Sequence, residues 1–356
     1  MGKIRVLIVE DSVTVREQFA QTLSADPEIA VVGKAADGKT AIELCQALRP
    51  DVMTLDMMLG ELSGLAVTEY VMAYCPTPIL IVSSSTNRGD VYKTYEALAA
   101  GALDVLDKSR ADQPHGNWER EFVAAVKLAS RIKVITHVRG RRSAPPAAEE
   151  QVAASRNGEP PRPVSAYQLI AIGASTGGPA ALLSILRRMP ASFALPILVV
   201  NHVADTFGSF LAEWLGNQTP LSVSCAVDGE PVPAPGEGRV ILARPGYHLA
   251  VHAGRLRLIS GNERNCCRPS VDVLFESVAR EIRAAAIGCL LTGMGKDGAA
   301  GLLAMRRAGA RTLAQDEASS AVFGMAQAAI LAGAVETILS LDDIAPALLT
   351  LALKRL

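Results

Sequence analysis

The chain is short of aromatic residues, of net charge, of long apolar runs and of paired cysteines, and each shortage excludes something. Aromatics make up 4% of 356 residues, against 49% apolar residues overall. The cores must therefore be built from Ala, Val, Ile and Leu, which suits helices packed on parallel strands. The formal charge is −1, from 35 basic and 36 acidic residues. No net field draws such a chain to nucleic acid, and there is no basic helix-turn-helix pattern, so no nucleic-acid partner is expected. No apolar run approaches the ~18 residues of a membrane helix, so no direct membrane insertion is expected either. The six cysteines (Cys45, Cys75, Cys225, Cys266, Cys267 and Cys289) include no C-x-x-C spacing. That argues against a disulfide framework or a zinc site and for reduced thiols. Charges run through "MGKIRVLIVEDS", where a signal peptide would be apolar. The expectation is a cytoplasmic protein.

What is present divides in two. Residues 138–166 are dominated by Pro, Gly, Ser, Ala and charge, with almost no large apolar side chains. Such a stretch cannot bury enough surface to offset its ordering entropy. It reads as a linker at 136–166 between a domain at 1–135 and another at 167–356, both of ordinary size. The first alternates "IRVLIVE", "AVVGKA", "DVMTLD", "PILIVS" and "LDVLDK" with helix-like stretches. Five such units imply a parallel sheet covered on both faces. The second repeats the style with "QLIAIG", "PILVVNH", "RVILA" and "IGCLLTG", while "RVILARPGYHLAVHAGRLRLIS" suggests strands joined by turns, with a short antiparallel hairpin among them. The predicted fold class is α/β, two doubly wound parallel-sheet domains, the first flavodoxin-like and the second Rossmann-like with that short hairpin.

In parallel α/β sheets ligands gather at the carboxyl ends of the strands. In the first domain those ends carry Glu10 and Asp11, then Asp56, Ser83 and Lys108. Three carboxylates there would repel one another unless a cation sat among them, and hard oxygen ligands suit Mg²⁺. Lys108 and the metal together could neutralise a phosphoryl group arriving on one carboxylate.

In the second domain "GASTGG" (173–178) follows an apolar strand directly. Ser175 could be a nucleophile on a G-x-S-x-G elbow, part of a phosphate cradle, or a residue of a plain tight turn. G-x-G-x-x-G is absent and no acidic ribose partner stands at the usual distance. A serine nucleophile needs a base, and the base an orienting carboxylate. Of five histidines, His115 and His137 belong to the first domain or linker, and His248 and His252 share a strand-like stretch. His202 follows "PILVVN" at a strand's carboxyl end, and Asp297 lies in the glycine-rich loop of "CLLTGMGKDGAAG". Glycines there free backbone N–H groups to face an anion. Ser175, His202 and Asp297 are thus preferred over the rival order Ser175, Asp228, His248, because Asp228-Gly229 reads as a turn.

The motifs "VEDS", "LDMMLGELSGL", "VSSS" and "DVLDKS" resemble the receiver domain of bacterial response regulators. The resemblance implies that Asp56 accepts a phosphoryl group from a histidine kinase, that Glu10, Asp11 and Asp56 hold Mg²⁺, and that Ser83 and Lys108 contact the phosphoryl oxygens. Leu59-Gly60, Val105 and Ser109 depart from that family's usual Met-Pro, aromatic and proline. The motifs "IAIGASTGGP", "NH", "CRPSVDVLFESVA" and "LLTGMGKDGAAGL" resemble the catalytic domain of the chemotaxis protein-glutamate methylesterases. That likeness implies Ser175 as nucleophile, His202 as base, Asp297 as orienter, and the backbone N–H of Met294, with Thr176 as a second donor, in an oxyanion hole. Arg268, Pro269 and Ser270 are expected at the rim of the site, and Lys296, where Asn is common, beside Asp297. "NERNC" suggests no clear chemistry.

Together the resemblances imply phosphorylation-regulated hydrolysis of glutamyl methyl esters on methyl-accepting chemoreceptors, with deamidation of receptor glutamines at the same site. No cofactor is expected there, and the chain is expected to be a monomer. The unphosphorylated receiver is expected to cover the esterase cleft. The alternatives are the same chemistry in a signalling array outside chemotaxis, and a non-catalytic adaptor regulator.

Overall fold

The structure, a computed structural model, describes residues 2–84, 87–108, 117–132, 134, 167–203 and 205–353. The expected linker at 136–166, along with Ser109, His115 and His137, lies outside the described residues.

Strands β1 (Ile4–Val9), β2 (Ile29–Ala35), β3 (Val52–Leu55), β4 (Ile79–Ser83) and β5 (Asp104–Asp107) pair in parallel in the order β2-β1-β3-β4-β5. This is the flavodoxin-like order expected from the alternating pattern. The inner strands are buried along their length, which is why they read as continuous rather than alternating apolar runs. Helices α1 (Val13–Ser24), α2 (Gly38–Leu48), α3 (Gly64–Tyr74), α4 (Arg88–Ala99) and α5 (Asn117–Ala129) fill the connections. The first four starts have a local cause: Ser12, Asp37, Ser63 and Asn87 turn a side-chain oxygen onto a first-turn N–H of the helix that follows.

The second sheet has seven parallel strands. They are β6 (Leu169–Ala174), β7 (Ile197–Asn201), β8 (Ser222–Cys225), β9 (Arg239–Leu242), β12 (Ala286–Leu290), β13 (Arg311–Gln315) and β14 (Thr337–Leu339), in the order β14-β13-β12-β6-β7-β9-β8. The hairpin β10 (His248–His252) and β11 (Arg255–Ile259) is antiparallel and forms its own two-stranded sheet. Helices α6 (Gly178–Leu186), α7 (Asp205–Gln218), α8 (Val271–Glu281), α9 (Ala299–Arg307), α10 (Met325–Leu331) and α11 (Leu341–Ala352) cover the seven-stranded sheet. Strand order reverses at β6, whose neighbours are β12 and β7. A crevice therefore opens at the carboxyl ends of these three strands. No helix among the described residues is long and apolar enough to cross a membrane.

The two units pack on one another, and buried residues of both belong to one continuous apolar cluster. Tyr95 on α4 stacks on Trp214 of α7 with ring centroids 5.1 Å apart, and its hydroxyl donates to Phe207 O at 2.6 Å. Arg88 pairs with Glu213, and Asn217 Nδ2 donates to Tyr92 Oη at 3.3 Å. The start of β5 reaches the turn after β6: Gly177 N–H donates to Leu103 O at 3.1 Å, and Thr176 Oγ1 to Asp104 Oδ2 at 2.6 Å.

Candidate phosphoryl and hydrolase sites

In the first domain all five expected residues meet at one end of the sheet. Lys108 Nζ donates to Asp56 Oδ2 at 2.6 Å and to Glu10 Oε2 at 2.8 Å, and Ser83 Oγ donates to Asp56 Oδ1 at 3.0 Å. Ligand oxygens from Glu10, Asp11 and Asp56 lie within 4.8 Å of one another, with Asp11 exposed and the other two buried. Burial pushes the Glu10 carboxyl up, Lys108 pulls it back, and the Asp56 charge raises it again. Burial would lower the Lys108 ammonium, but its hydrogen bonds to Asp56 and Glu10 prevail and raise it. One ammonium thus faces three carboxyl groups, an excess of negative oxygen that fits a small hard dication.

In the second domain three adjacent strands bring three side chains to one crevice. Ser175 follows β6 and its N–H donates to Thr292 O at 3.0 Å. His202 follows β7, its N–H bonded to Ala174 O at 3.0 Å. Asp297 sits in the loop between β12 and α9. The glycine at 293 is required by close approach: a Cβ there would lie 2.3 Å from Met325 Sδ and 2.7 Å from Ser175 Cβ.

His202 Nε2 lies 3.0 Å from Asp297 Oδ2. Asp297 is buried, and its carboxylate also accepts from Ser270 Oγ at 2.7 Å, Asn265 Nδ2 at 2.9 Å, Val271 N at 2.6 Å and Asp272 N at 3.3 Å. Burial would raise this carboxyl, but the contacts with His202, Asn265 and Ser270 outweigh it and bring it down to about 2. An ionised carboxylate on Nε2 makes that nitrogen the N–H donor and leaves Nδ1 as the proton acceptor. In the chymotrypsin arrangement the two ring nitrogens have the opposite roles. Ser175 is half-buried, and among the described residues its hydroxyl makes no hydrogen bond to the imidazole. Nδ1 instead has Cys267 Sγ at 3.6 Å.

Met294 is 54% exposed, and among the described residues its backbone N–H has no hydrogen-bond acceptor. Thr176 is buried, its carbonyl oxygen held by Thr292 Oγ1 at 2.9 Å. The rival order is not assembled. Asp228 accepts from Leu258 N at 2.9 Å on the hairpin, while His248 is buried between Asn262 O and the Ser270 N–H. Two lesser expectations need correction. Ser270 is fully buried beneath Asp297 rather than at the rim, because its hydroxyl serves the carboxylate. Lys296 is exposed and forms no ion pair with Asp297, which neutral donors and His202 already surround. The stretch "NERNC" proves informative: Asn265 bridges Asp297 and Asp272, and Arg264 makes a two-pronged pair with Glu276 at 2.7 and 2.5 Å. No spacing rule would have found Asn265, since its partners come from α8 and the loop after β12.

A receiver-type acid cluster on one parallel sheet, and serine, histidine and aspartate at the switch point of another, define a receiver-linked esterase. Residues 170–348 match the CheB methylesterase family and residues 6–114 the response regulator receiver domain. A protein-glutamate methylesterase/protein-glutamine glutaminase of Anaeromyxobacter dehalogenans is 42% identical over 348 residues, covering 97% of this chain and 96% of that one. One from Nitrosospira multiformis is 40% identical, with coverage of 99% and 98%. The Thermotoga maritima CheB methylesterase catalytic domain aligns at TM-score 0.49 and 34% identity, covering 52% of this chain and 98% of that domain. The chain belongs to the CheB protein-glutamate methylesterase family.

Proposed function

We propose that this chain hydrolyses glutamyl methyl esters on the cytoplasmic helices of methyl-accepting chemoreceptors, deamidates receptor glutamines at the same site, and is switched by phosphorylation of Asp56 by a histidine kinase in the cytoplasm. The observation that carries the reading is the His202–Asp297 contact of 3.0 Å, one strand away from Ser175. Both the family membership and the names of the relatives agree with it.

In this reading Ser175 Oγ attacks the ester carbonyl while its proton passes to His202 Nδ1, the nitrogen left free by Asp297. Asp297 steadies the imidazolium that forms. The oxyanion is received by the Met294 N–H, with the Thr176 N–H as second donor; one such donor is worth roughly 10²–10³ in rate. The proton then goes to the departing methoxide, or to the departing ammonia when the substrate is a glutamine. Water, activated by the same imidazole, releases the glutamate from the acyl-enzyme.

Control is supported by the contacts of the receiver with the Ser175 turn. Leu103 O and Asp104 accept from the Gly177 N–H and the Thr176 hydroxyl, which supports a reading in which the unphosphorylated receiver restricts access to the nucleophile. Glu10, Asp11 and Asp56 would hold Mg²⁺, which neutralises an incoming phosphoryl group when bound. Ser83 and Lys108 would take its oxygens. Phosphorylation would redistribute charge around Lys108 and Ser83 and loosen the docking through β5 and α4.

The test is methanol release from methylated receptor by the full chain, with and without a small phosphodonor and Mg²⁺. The expected result is slow release that the phosphodonor accelerates and that Ser175→Ala abolishes. Release no faster than that of Ser175→Ala in both states would overturn the reading.

A further inference from the structure

We propose that Cys267 and His202 form a binding site for a soft divalent cation, Zn²⁺ above all, and that occupancy takes His202 out of hydrolysis. The consequence for turnover rests on the esterase reading; the binding does not. Three features of the crevice support it.

The first is distance. Cys267 Sγ and His202 Nδ1 are 3.6 Å apart. A tetrahedral Zn²⁺ with bonds of about 2.3 Å to sulfur and about 2.05 Å to nitrogen sets its ligands about 3.6 Å apart. The observed separation of the two atoms matches that spacing.

The second is the imidazole's other nitrogen. Metal-bound histidines characteristically donate that N–H to a carboxylate, which fixes the tautomer and strengthens the ligand. Asp297 does this from 3.0 Å. Its own oxygens are filled by Ser270, Asn265 and two backbone N–H groups, so it orients His202 rather than binding the ion. Ligand atoms of His202, Cys267 and Asp297 lie within 4.8 Å of one another.

The third is charge. The buried Asp297 carboxylate stands beside the pair, a ligand oxygen within 4.8 Å of Cys267 Sγ and the imidazole. Its negative charge favours a dication at this place. Binding breaks the S–H bond, forms S–Zn and releases one proton to solvent, with water filling the remaining positions. Thiolate and imidazole select Zn²⁺ or Co²⁺ over Mg²⁺, which separates this site from the acid cluster of the receiver. Both residues are half-buried, and their 65-residue separation hides the pair from any spacing motif.

The test uses the full-length chain with Co²⁺ and Zn²⁺ as probes. Co²⁺ should produce a thiolate-to-metal charge-transfer band in the wild type that is lost in Cys267→Ala, weakened in His202→Ala and kept in Cys266→Ala. The buried Cys45–Cys75 pair cancels in the difference between the wild type and Cys267→Ala. Zn²⁺ should inhibit methanol release, EDTA should restore it, and Cys267→Ala, measured against its own metal-free rate, should need at least roughly tenfold more Zn²⁺ for half-inhibition. Cys267→Ser, which keeps the side-chain volume, should behave like the alanine variant. Identical Co²⁺ spectra for the wild type and Cys267→Ala, or loss of the band in Cys266→Ala alone, overturns the proposal. If the wild type releases no methanol at all, the esterase reading fails, while the Co²⁺ spectra still decide the metal site.

Discussion

Asp104, at the first position of β5, accepts a 2.6 Å hydrogen bond from Thr176 Oγ1, the residue that follows Ser175. A half-buried carboxylate of the receiver is thus tied to the turn that carries the proposed nucleophile. Asp104→Ala leaves the Thr176 hydroxyl without its partner and should weaken docking by about 1–2 kcal/mol, which corresponds to a rise of about tenfold in unphosphorylated turnover. Methanol release by the variant without phosphodonor measures it, and an unchanged rate would count against the blocking role of this contact.

The same residue sets a pH dependence. Burial pushes the Asp104 carboxyl up, against the opposing pull of the Thr176 hydroxyl and the Val105 N–H. A group with a raised pKa in the docked state supports docking fully below the ordinary carboxylate range, and that support is lost as pH rises through the docked value. Unphosphorylated wild type should therefore gain activity with rising pH relative to Asp104→Asn, which imitates the neutral form at every pH. A flat ratio of the two rates across that range, or one that falls, contradicts this assignment.

Asp56→Asn should abolish uptake of label from a small phosphodonor and remove stimulation, while leaving basal hydrolysis intact. Removing Mg²⁺ with EDTA should do the same to the wild type, because Lys108 alone cannot balance Glu10, Asp11, Asp56 and a phosphoryl group. Phosphoryl uptake that persists in EDTA would disprove the metal requirement.

Asp297→Asn should lower kcat by about 10⁴ through loss of the oriented imidazole tautomer, as in the serine proteases. The variant should also change the acid profile of stability. The Asp297 carboxyl, held at about 2 in the fold, contributes roughly 2 kcal/mol that is present above the unfolded pKa and lost as pH falls from about 4 through about 2. Urea unfolding of both proteins at a series of pH values should show the wild type losing this increment and the variant lacking it. Parallel stability curves would contradict the assignment.

Gly293→Ala tests how the crevice is assembled. A methyl group there meets Met325 Sδ at 2.3 Å and Ser175 Cβ at 2.7 Å, so one of them must move. A displacement of about 1 Å at the nucleophile costs about 10² in rate. The expected result is that loss in kcat with a lowered Tm. Unaltered kcat would show that Ser175 is not held by this contact.

Much of this was legible along the chain. Continuous apolar runs of four to six residues marked most of the parallel strands, because a strand buried on both faces has no polar side. The hairpin β10–β11 was readable from its alternation and its Gly254 turn. The strands β8, β13 and β14 were not: "SVSC" and "TIL" are short and largely unburied, and "RTLAQ" opens and closes on polar residues. Their strand character comes from neighbours in the sheet rather than from their own sequence.

The chemistry divides along a similar line. Legible along the chain were the residue types at the strand ends, Ser175, His202 and Asp297 in one half and Glu10, Asp11, Asp56, Ser83 and Lys108 in the other. Position at a strand terminus is a local property, written in the apolar run that precedes it. The order of the strands, and with it the meeting of His202 with Asp297, came from the fold. It also set which imidazole nitrogen meets Asp297, brought Asn265, Ser270 and Cys267 around the same pair, and laid Asp104 on Thr176. These contacts join segments from 26 to 95 residues apart. No local preference encodes such a meeting; it exists only once burial of the two apolar cores has fixed where each loop must lie.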